Sequence, residues 1–114
     1  MTPYKFNLDP VDVPKIRTRN REIQSKIPAP GTKEIFQRLQ KTESRSMHGQ
    51  LPIAWNKARG HSVYDILENK WIDFTSTIFV ANVGHSNERV TKAITASLET
   101  PLFTCYSYIN SVRA

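Results

Sequence analysis

The sequence predicts a small α/β unit made of an extended arm, a helix, a short antiparallel β-meander and an amphipathic helix. Six of the seven prolines fall within the first 52 of the 114 residues. Proline fixes φ and cannot donate a ladder hydrogen bond, so this portion is expected to be extended, with little regular structure. Short β-type runs with tight turns follow, and after them comes a run with helical periodicity.

An arm and one helix are predicted to precede the meander. Residues 1–31 form the predicted N-terminal arm, and residues 32–114 form the second predicted unit. Thr32 can cap a helix over residues 32–42, and Glu34 lies in its first turn, where the helix dipole favours an acidic side chain. The apolar stripe of this helix comprises Ile35, Phe36 and Leu39.

Three short runs, residues 52–58, 62–67 and 71–74, are rich in strand-forming side chains. Tight turns separate them, which is typical of an antiparallel meander. The apolar stretch over residues 78–83 has a length that suits either a strand or a loop, so the pattern leaves this choice open.

The last helix is the clearest element of the sequence. Ser86 or Asn87 can cap it, and Pro101 ends it. Its residues at helical spacing are predicted to form one buried face: Val90, Ala93, Ile94, Ser97 and Leu98. Little else in the chain could cover this face and the aromatic segment after it, so the isolated chain is expected to be oligomeric or partly unfolded.

The positive charge is concentrated in the arm and the first helix. Residues 1–60 carry 12 Lys/Arg and 5 Asp/Glu, whereas residues 61–114 carry 4 and 5, which together give the net charge of +6. Such an arm can bind phosphate backbones, but it lacks interleaved aromatic side chains and any helix-turn-helix pattern. We therefore expect a solvated or partner-facing arm and no nucleic-acid binding. A small basic nucleic-acid-binding module is the alternative.

No complete active site is visible in the sequence. The single cysteine, Cys105, excludes an internal disulfide and a cysteine-based zinc site. His48, His61 and His85 share no metal-ligand spacing, and no motif of a hydrolase, a zinc protease or a phosphate-binding loop is present. His85 is predicted to order the start of the last helix rather than to act as a general base or a ligand.

The N-terminus, MTPYKFNLDP, has no apolar core of a secretory signal. No apolar run approaches the roughly 20 residues that span a membrane. We therefore expect a cytoplasmic protein without a membrane segment.

The order of elements and a set of specific residues together resemble a known family. The segment PIAWNKARGHSVYDILENKWIDFTSTIFVANVGHSNERVTKAI is similar to the N-terminal part of class III pyridoxal-phosphate-dependent aminotransferases, which include 4-aminobutyrate and ornithine aminotransferases. The resemblance covers about residues 52–106. The matching positions are Ala58, Gly60, Val63, Asp65, Trp71, Ile72, Asp73, Phe74, Asn82, Gly84 and His85.

Three positions depart from the family pattern. The turn that usually contains a glycine reads Leu67-Glu68-Asn69, in which Asn69 tolerates a positive φ. Thr77 stands where the family usually has a glycine, and the lost backbone freedom is expected to reshape the pocket. Glu88 or its neighbour replaces the proline that usually opens the last helix, which is a mild change because both suit a helix start.

The resemblance implies the α/β pyridoxal-phosphate-dependent transferase fold, fold type I. This chain would supply its N-terminal fragment: part of the small domain and the lead-in to the large domain of a homodimer. It also implies pyridoxal 5'-phosphate as cofactor, with an amine or ω-amino acid and a 2-oxo acid as substrates. The Schiff-base lysine comes later in such chains, and none of the eight lysines here has the matching context. The chain alone is therefore expected to be inactive. A non-catalytic, truncated paralogue that acts in protein interactions is a further alternative.

By position in the family pattern, four residues are predicted to contribute to substrate binding. Ile78 and Phe79 would form the pocket wall, and Tyr106 and Tyr108 would approach the active site of the partner subunit. Ordinary core or interface packing is the alternative for each of them. No catalytic, cofactor-binding or metal-binding residue is predicted within the chain.

Overall fold

A single antiparallel sheet organises the part of the chain that the computed structural model describes, residues 6–47 and 50–99. Its five strands are β1 (Ile16–Arg17), β2 (Glu22–Ile23), β3 (Trp55–Arg59), β4 (Ser62–Asp65) and β5 (Lys70–Ile72). Their order across the sheet is β1-β2-β5-β4-β3. The predicted meander of β3, β4 and β5 is therefore confirmed, and the N-terminal arm adds two further strands.

The three meander strands pair antiparallel, with one register shift in β3 between Trp55 and Lys57. Ala58 faces Val63 across β3 and β4, and Val63 faces Trp71 across β4 and β5. Gly60 turns the chain between β3 and β4 with a φ of 58°. The second turn departs from expectation, because Glu68 rather than Asn69 takes the positive φ, at 65°. Glu68 thereby occupies the conformation for which the family pattern has a glycine.

The N-terminal arm is extended, as predicted, but it is packed onto the sheet rather than free in solvent. Glu22 pairs with Lys70, so β2 lies beside β5. Ile23 is 3% exposed and Ala29 is 2% exposed, and both belong to the apolar core. The prolines did not prevent this arrangement, because the paired residues of the arm are not prolines.

A buried asparagine joins the arm to the meander. The side-chain oxygen of Asn69 accepts hydrogen bonds from the backbone N–H groups of Gln24 (2.8 Å) and Ser25 (3.0 Å). Its Nδ2 donates to Ser25 Oγ at 2.6 Å and to Asp65 Oδ2 at 2.7 Å. Because Asn69 is 0% exposed, this network replaces hydrogen bonds that water would otherwise supply.

The first helix spans Thr32–Thr42, as predicted, and a short 3-10 helix spans Arg45–Met47. The capping prediction is wrong at this helix. Gly31, with a φ of 94°, is the N-cap, and Thr32 lies inside the helix with a buried side chain. A threonine in the first turn cannot use its hydroxyl as an N-cap does, and among the described residues its Oγ1 has no hydrogen-bond partner.

The last helix spans Glu88–Ser97, and Asn87 caps it by accepting hydrogen bonds from the N–H groups of Arg89 and Val90. The predicted burial of its apolar face is wrong for the described part of the chain. Val90, Ile94 and Leu98 are 44%, 56% and 62% exposed, because no described element packs against them. Over residues 6–47 and 50–99, no helix has the length and apolarity that crossing a bilayer requires.

Candidate functional site

A cleft of about 180 Å³ lies where the turn after β3 meets the segment between β5 and the last helix. Its wall combines backbone from two glycines with polar side chains from both segments. The lining residues are Gly60, His61, Asp73, Ser76, Ala81, Asn82, Gly84 and His85.

Asp73, directly after β5, is the central polar group of this cleft. Its Oδ1 accepts hydrogen bonds from the backbone N–H of Thr75 (2.9 Å) and from Thr75 Oγ1 (2.8 Å). Its Oδ2 accepts from the backbone N–H of Thr77 (3.1 Å) and lies 2.7 Å from His85 Nε2. The side chain is 2% exposed, so these four contacts replace its hydration.

The surroundings of Asp73 favour its ionised form. Burial raises the pKa of this carboxyl group, but the hydrogen bonds from His85 and Thr75 outweigh burial and lower the pKa from 3.8 to about 2. A carboxylate with so low a pKa is a poor proton acceptor near neutral pH. Asp73 therefore organises the backbone around it and is poorly suited to general acid–base catalysis.

His85 is held through both its backbone and its ring. Its N–H and C=O groups form a reciprocal pair with Gly60, with N···O distances of 2.8 and 2.9 Å. Because an ionised carboxylate can only accept hydrogen bonds, His85 Nε2 carries a hydrogen atom and donates a hydrogen bond to Asp73 Oδ2. The ring of Trp55 stands edge-on to the imidazole, with 6.1 Å between the centroids. These contacts match the predicted structural role of His85 at the start of the last helix.

Gly84 allows the two segments to approach each other closely. A Cβ atom at this position would lie 3.2 Å from Gly60 Cα, and the φ of Gly84 is 85°. Both the space and the left-handed backbone conformation therefore favour glycine here. The adjacent Ser86 completes the junction by donating from Oγ to the carbonyl oxygen of Ala58 at 2.6 Å.

A left-handed turn, Ser76–Phe79, forms the rim of the cleft. All four residues have positive φ values, from 49° at Ser76 to 68° at Phe79. Phe79 N–H donates to the carbonyl oxygen of Thr75 at 3.0 Å, as in one turn of a left-handed helix. The stretch over residues 78–83, which the pattern left open, therefore starts in a turn and contains no strand.

The predicted pocket-wall residues lie on this left-handed turn. Ile78 and Phe79 are 78% and 79% exposed, and neither lines the cleft itself. Phe74, Val80 and Val83 are exposed beside them, at 89%, 76% and 65%. Tyr106 and Tyr108 lie outside the described residues, as do His48 and Cys105.

Sequence reasoning treated Asp73 as one position in a family pattern and missed its structural role. A signal was available, since an aspartate followed two residues later by threonine is typical of a turn in which the carboxylate accepts local backbone hydrogen bonds. Within residues 6–47 and 50–99, no three or more His, Cys, Asp or Glu side chains converge as a metal site would require.

The family model for class III aminotransferases (Aminotransferase class-III) matches residues 43–113, more than half of the chain. The chain belongs to the class III aminotransferase family. The matched range contains the whole cleft, including Gly60, Asp73 and His85. The resemblance inferred from the sequence is thereby confirmed.

Curated relatives agree with this assignment. The chain is 37% identical over 70 residues to acetylornithine aminotransferase of Methanocaldococcus jannaschii. These 70 residues cover 61% of this chain and 18% of the relative. It is 31% identical over 88 residues to 4-aminobutyrate aminotransferase of Mycobacterium leprae, covering 77% and 20%. It is 50% identical over 48 residues to leucine/methionine racemase of Thermococcus litoralis, covering 42% and 11%.

Solved structures show the same fold. Acetylornithine aminotransferase of Elizabethkingia anophelis superposes with a TM-score of 0.60 at 24% identity, covering 70% of this chain and 21% of that protein. Ornithine aminotransferase of Toxoplasma gondii gives a TM-score of 0.60 at 23% identity, covering 69% and 18%. The sheet and helices described above thus correspond to a segment of the pyridoxal-phosphate-dependent aminotransferase fold.

The chain spans about a fifth of the length of the aminotransferases that it matches. The residues that line its cleft include neither lysine nor arginine. Pyridoxal 5'-phosphate is held through an aldehyde, which needs a lysine, and through a phosphate, which needs several donors. This cleft therefore does not fit the cofactor by itself, and the chain's own residues assign it no catalytic step.

Proposed function

We propose that this chain is the N-terminal segment of a pyridoxal-phosphate-dependent class III aminotransferase. The complete enzyme transfers an amino group from an amine or ω-amino acid to a 2-oxo acid, acts as a cytoplasmic homodimer and uses pyridoxal 5'-phosphate. The segment is inactive alone, because the lysine and the phosphate-binding groups belong to polypeptide that this chain does not contain. Residues 1–31 form its arm, and residues 32–114 belong to the small domain and the lead-in to the large domain.

The family match over residues 43–113 is the observation that carries this proposal. The similarity to 4-aminobutyrate aminotransferase of Mycobacterium leprae supports it, because that similarity extends over 77% of the chain. The exposed apolar side chains on the left-handed turn and on the last helix support the need for further polypeptide. Monomeric soluble proteins rarely expose contiguous apolar surface of this kind without a partner.

In the complete enzyme, Ile78 and Phe79 would form part of the wall of the substrate pocket. Their side chains project from the rim of the cleft, which supports a role in selecting the size and shape of the amino donor. Tyr106 and Tyr108 are proposed to contribute to the same pocket from across the dimer interface.

A segment exchange tests the proposed function. The 70 matching residues of the Methanocaldococcus jannaschii enzyme would be replaced by the corresponding residues of this chain. The 114-residue chain alone is expected to show no amino transfer with 4-aminobutyrate, ornithine or N-acetylornithine and 2-oxoglutarate. The exchanged enzyme is expected to bind the cofactor, seen by visible absorbance, and to transfer amino groups from at least one of these donors.

A second exchanged enzyme, which carries Ile78→Ala and Phe79→Ala together, serves as the matched control for pocket-wall function. It is expected to retain the cofactor absorbance but to change the ranking of amino donors by KM. An exchanged enzyme that bound the cofactor normally and yet processed no amino acid would contradict the proposal. Amino transfer by the 114-residue chain alone would contradict its predicted inactivity.

Amino-acid racemisation is the second candidate reaction, because the identity to the racemase reaches 50% over 48 residues. The two reactions differ in their need for a 2-oxo acid, since racemisation exchanges no amino group between molecules. Formation of D-leucine from L-leucine by the exchanged enzyme, without added 2-oxo acid, would favour racemisation. Product formation that depends on 2-oxoglutarate would favour amino transfer.

A further inference from the structure

The left-handed turn is a conformation that its own residues disfavour. Thr77 has φ 53° and ψ 46°, and Ile78 has φ 58° and ψ 60°. Both side chains are β-branched, and left-handed backbone is unfavourable for an L-residue because Cβ crowds the following carbonyl oxygen. Backbone of this kind persists only where surrounding contacts hold it.

The hydrogen bonds within the turn do not select its handedness. The N–H groups of Phe79 and Val80 donate to carbonyl oxygens four residues earlier, at 3.0 and 2.9 Å. A right-handed turn would make bonds with the same residue spacing and without the steric cost. Another group must therefore favour the left-handed form.

The carboxylate of Asp73 supplies contacts that depend on this conformation. Oδ1 holds the N–H and hydroxyl of Thr75, and Oδ2 accepts from the N–H of Thr77 inside the turn. Because the carboxylate is 2% exposed, losing one of these donors would leave acceptor capacity that water could not easily satisfy.

The position of Asp73 is in turn fixed from outside the turn. His85 Nε2 donates to Oδ2 at 2.7 Å, and the backbone of His85 is paired with Gly60. A chain of contacts therefore runs from the turn after β3, through His85 and Asp73, to the backbone of Thr77.

We propose that Asp73 is a positioning residue, which with His85 holds the left-handed turn so that Ile78 and Phe79 project from the rim of the cleft. The effect of Asp73 on a substrate pocket rests on the proposed function, whereas its effect on the conformation of the turn does not. Asp73 acts on substrate selection only through the residues of the turn.

Nuclear magnetic resonance of the isotope-labelled 114-residue chain, in conditions where the amide cross-peaks of Val63 show that the sheet is folded, tests the hold directly. A positive φ gives a strong intraresidue amide–Hα nuclear Overhauser effect, which is expected at Thr77 and Ile78. Asp73→Asn keeps the size of the side chain but leaves one acceptor oxygen instead of two, so this signature is expected to be lost at both residues. Asp9→Asn is the matched control, since it makes the same change in an exposed carboxylate that pairs with Lys33.

A second substitution separates the carboxylate from the strain at residue 77. Thr77→Gly keeps Asp73 and places at position 77 a residue that adopts positive φ freely, so the signature is expected to stay at Ile78. Thr77→Gly combined with Asp73→Asn lacks the group that favours the left-handed form, so the signature is expected to be lost at Ile78. In all variants the amide cross-peaks of Val63 in β4 are expected to stay in place, whereas a residue needed only for general folding would disturb them.

Each other outcome counts against the proposal. If the signature were missing at Thr77 and Ile78 in the unaltered chain, the left-handed turn would not exist in solution. If the signature were unchanged in Asp73→Asn, Asp73 would not hold the turn. Loss of the β4 signals in Asp73→Asn, or a double variant that keeps the signature at Ile78, would equally overturn it.

The result is independent of the proposed function, because the measurement needs neither cofactor nor turnover. In the exchanged enzyme, Asp73→Asn is expected to raise KM for the amino donor several-fold with little change in kcat, as a displaced pocket wall would. If the turn responds as expected and the exchanged enzyme handles no amino acid, the proposed function fails and the positioning role stands.

Discussion

The sheet and the segment that follows it differ in which side chains they bury. Within the sheet, Val63 and Ile23 are 1% and 3% exposed, as expected of an apolar core. After β5 the arrangement is reversed, because the carboxylate of Asp73 is buried while Phe74 and Ile78 are 89% and 78% exposed. The sheet buries apolar side chains at its centre, whereas the later segment is ordered by polar contacts and presents apolar side chains outward.

This difference predicts which substitutions change the stability of the chain and which do not. Apolar burial is the main favourable term in folding, so substitutions in the sheet should change the free energy of unfolding. Truncating an exposed side chain removes little burial, so substitutions on the outward surface should change the free energy of unfolding little. The following predictions test that division.

The largest loss of stability is expected from Asn69→Ala. It leaves the N–H groups of Gln24 and Ser25 and the Oδ2 atom of Asp65 without the side chain that pairs with them, at a position that is 0% exposed. A reduction in the free energy of unfolding of about 3 kcal/mol is expected. Urea denaturation followed by circular dichroism measures it, with exposed Asn56→Ala as the control. Equal stability of the two variants would show that the arm does not depend on this network.

A matched pair of apolar truncations compares the two regions directly. Val63→Ala removes buried methyl groups and is expected to lower the free energy of unfolding by about 2 kcal/mol. Ile94→Ala, on the exposed face of the last helix, is expected to change it by less than about 0.5 kcal/mol. Urea denaturation of both variants measures the two changes. A larger loss of unfolding free energy for Ile94→Ala than for Val63→Ala would mean that the helix face is already covered in solution.

Thr77→Gly is expected to stabilise the chain, in contrast to the two buried substitutions. Glycine relieves the strain of the left-handed turn, although it adds freedom to the unfolded chain, so a net gain of about 1 kcal/mol is expected. Thermal unfolding measures the gain, and Thr91→Gly in the last helix, where φ is right-handed, should instead destabilise. A loss of stability in Thr77→Gly would show that the turn is unstrained.

The smallest effect near neutral pH concerns the ionisation of Asp73. Folding lowers its pKa from 3.8 to about 2, so its contribution to stability is fully present above 3.8 and disappears as the pH falls through about 2. In His85→Ala burial remains while one hydrogen bond is lost, so the pKa of Asp73 is expected to rise.

Carbon-13 titration of the Asp73 carboxyl group measures this shift, and His61→Ala is the control because His61 contributes only its backbone carbonyl oxygen to the N–H of Asp73. A pKa that stayed at about 2 in His85→Ala would show that Thr75 and Thr77 alone keep the carboxylate ionised.

Local chemistry was sufficient to predict several elements. The helix over residues 32–42, the three meander strands and a cap at Ser86 or Asn87 follow from periodicity, turn residues and side-chain hydrogen bonding close in sequence, and the structure selects Asn87. The structural role of His85 and the family itself also followed from the ordered set of residues around the cleft.

Contacts between distant residues were not predictable in the same way. The pairing of Glu22 with Lys70 joins residues 48 positions apart, and proline content indicated only that the arm would be extended. The buried state of Asn69 likewise depends on the N–H groups that the arm offers as hydrogen-bond donors. The predicted burial on the last helix was wrong because periodicity identifies an apolar face but not what covers it.

The sequence by itself determined the succession of helix and strands and indicated the family. Only the tertiary structure decided that Asp73 is a buried carboxylate holding a left-handed turn, and that Ile78 and Phe79 project outward from it. Handedness of a turn and ionisation of a carboxylate depend on donors that folding brings together from separate segments. Local sequence cannot fix either of them alone.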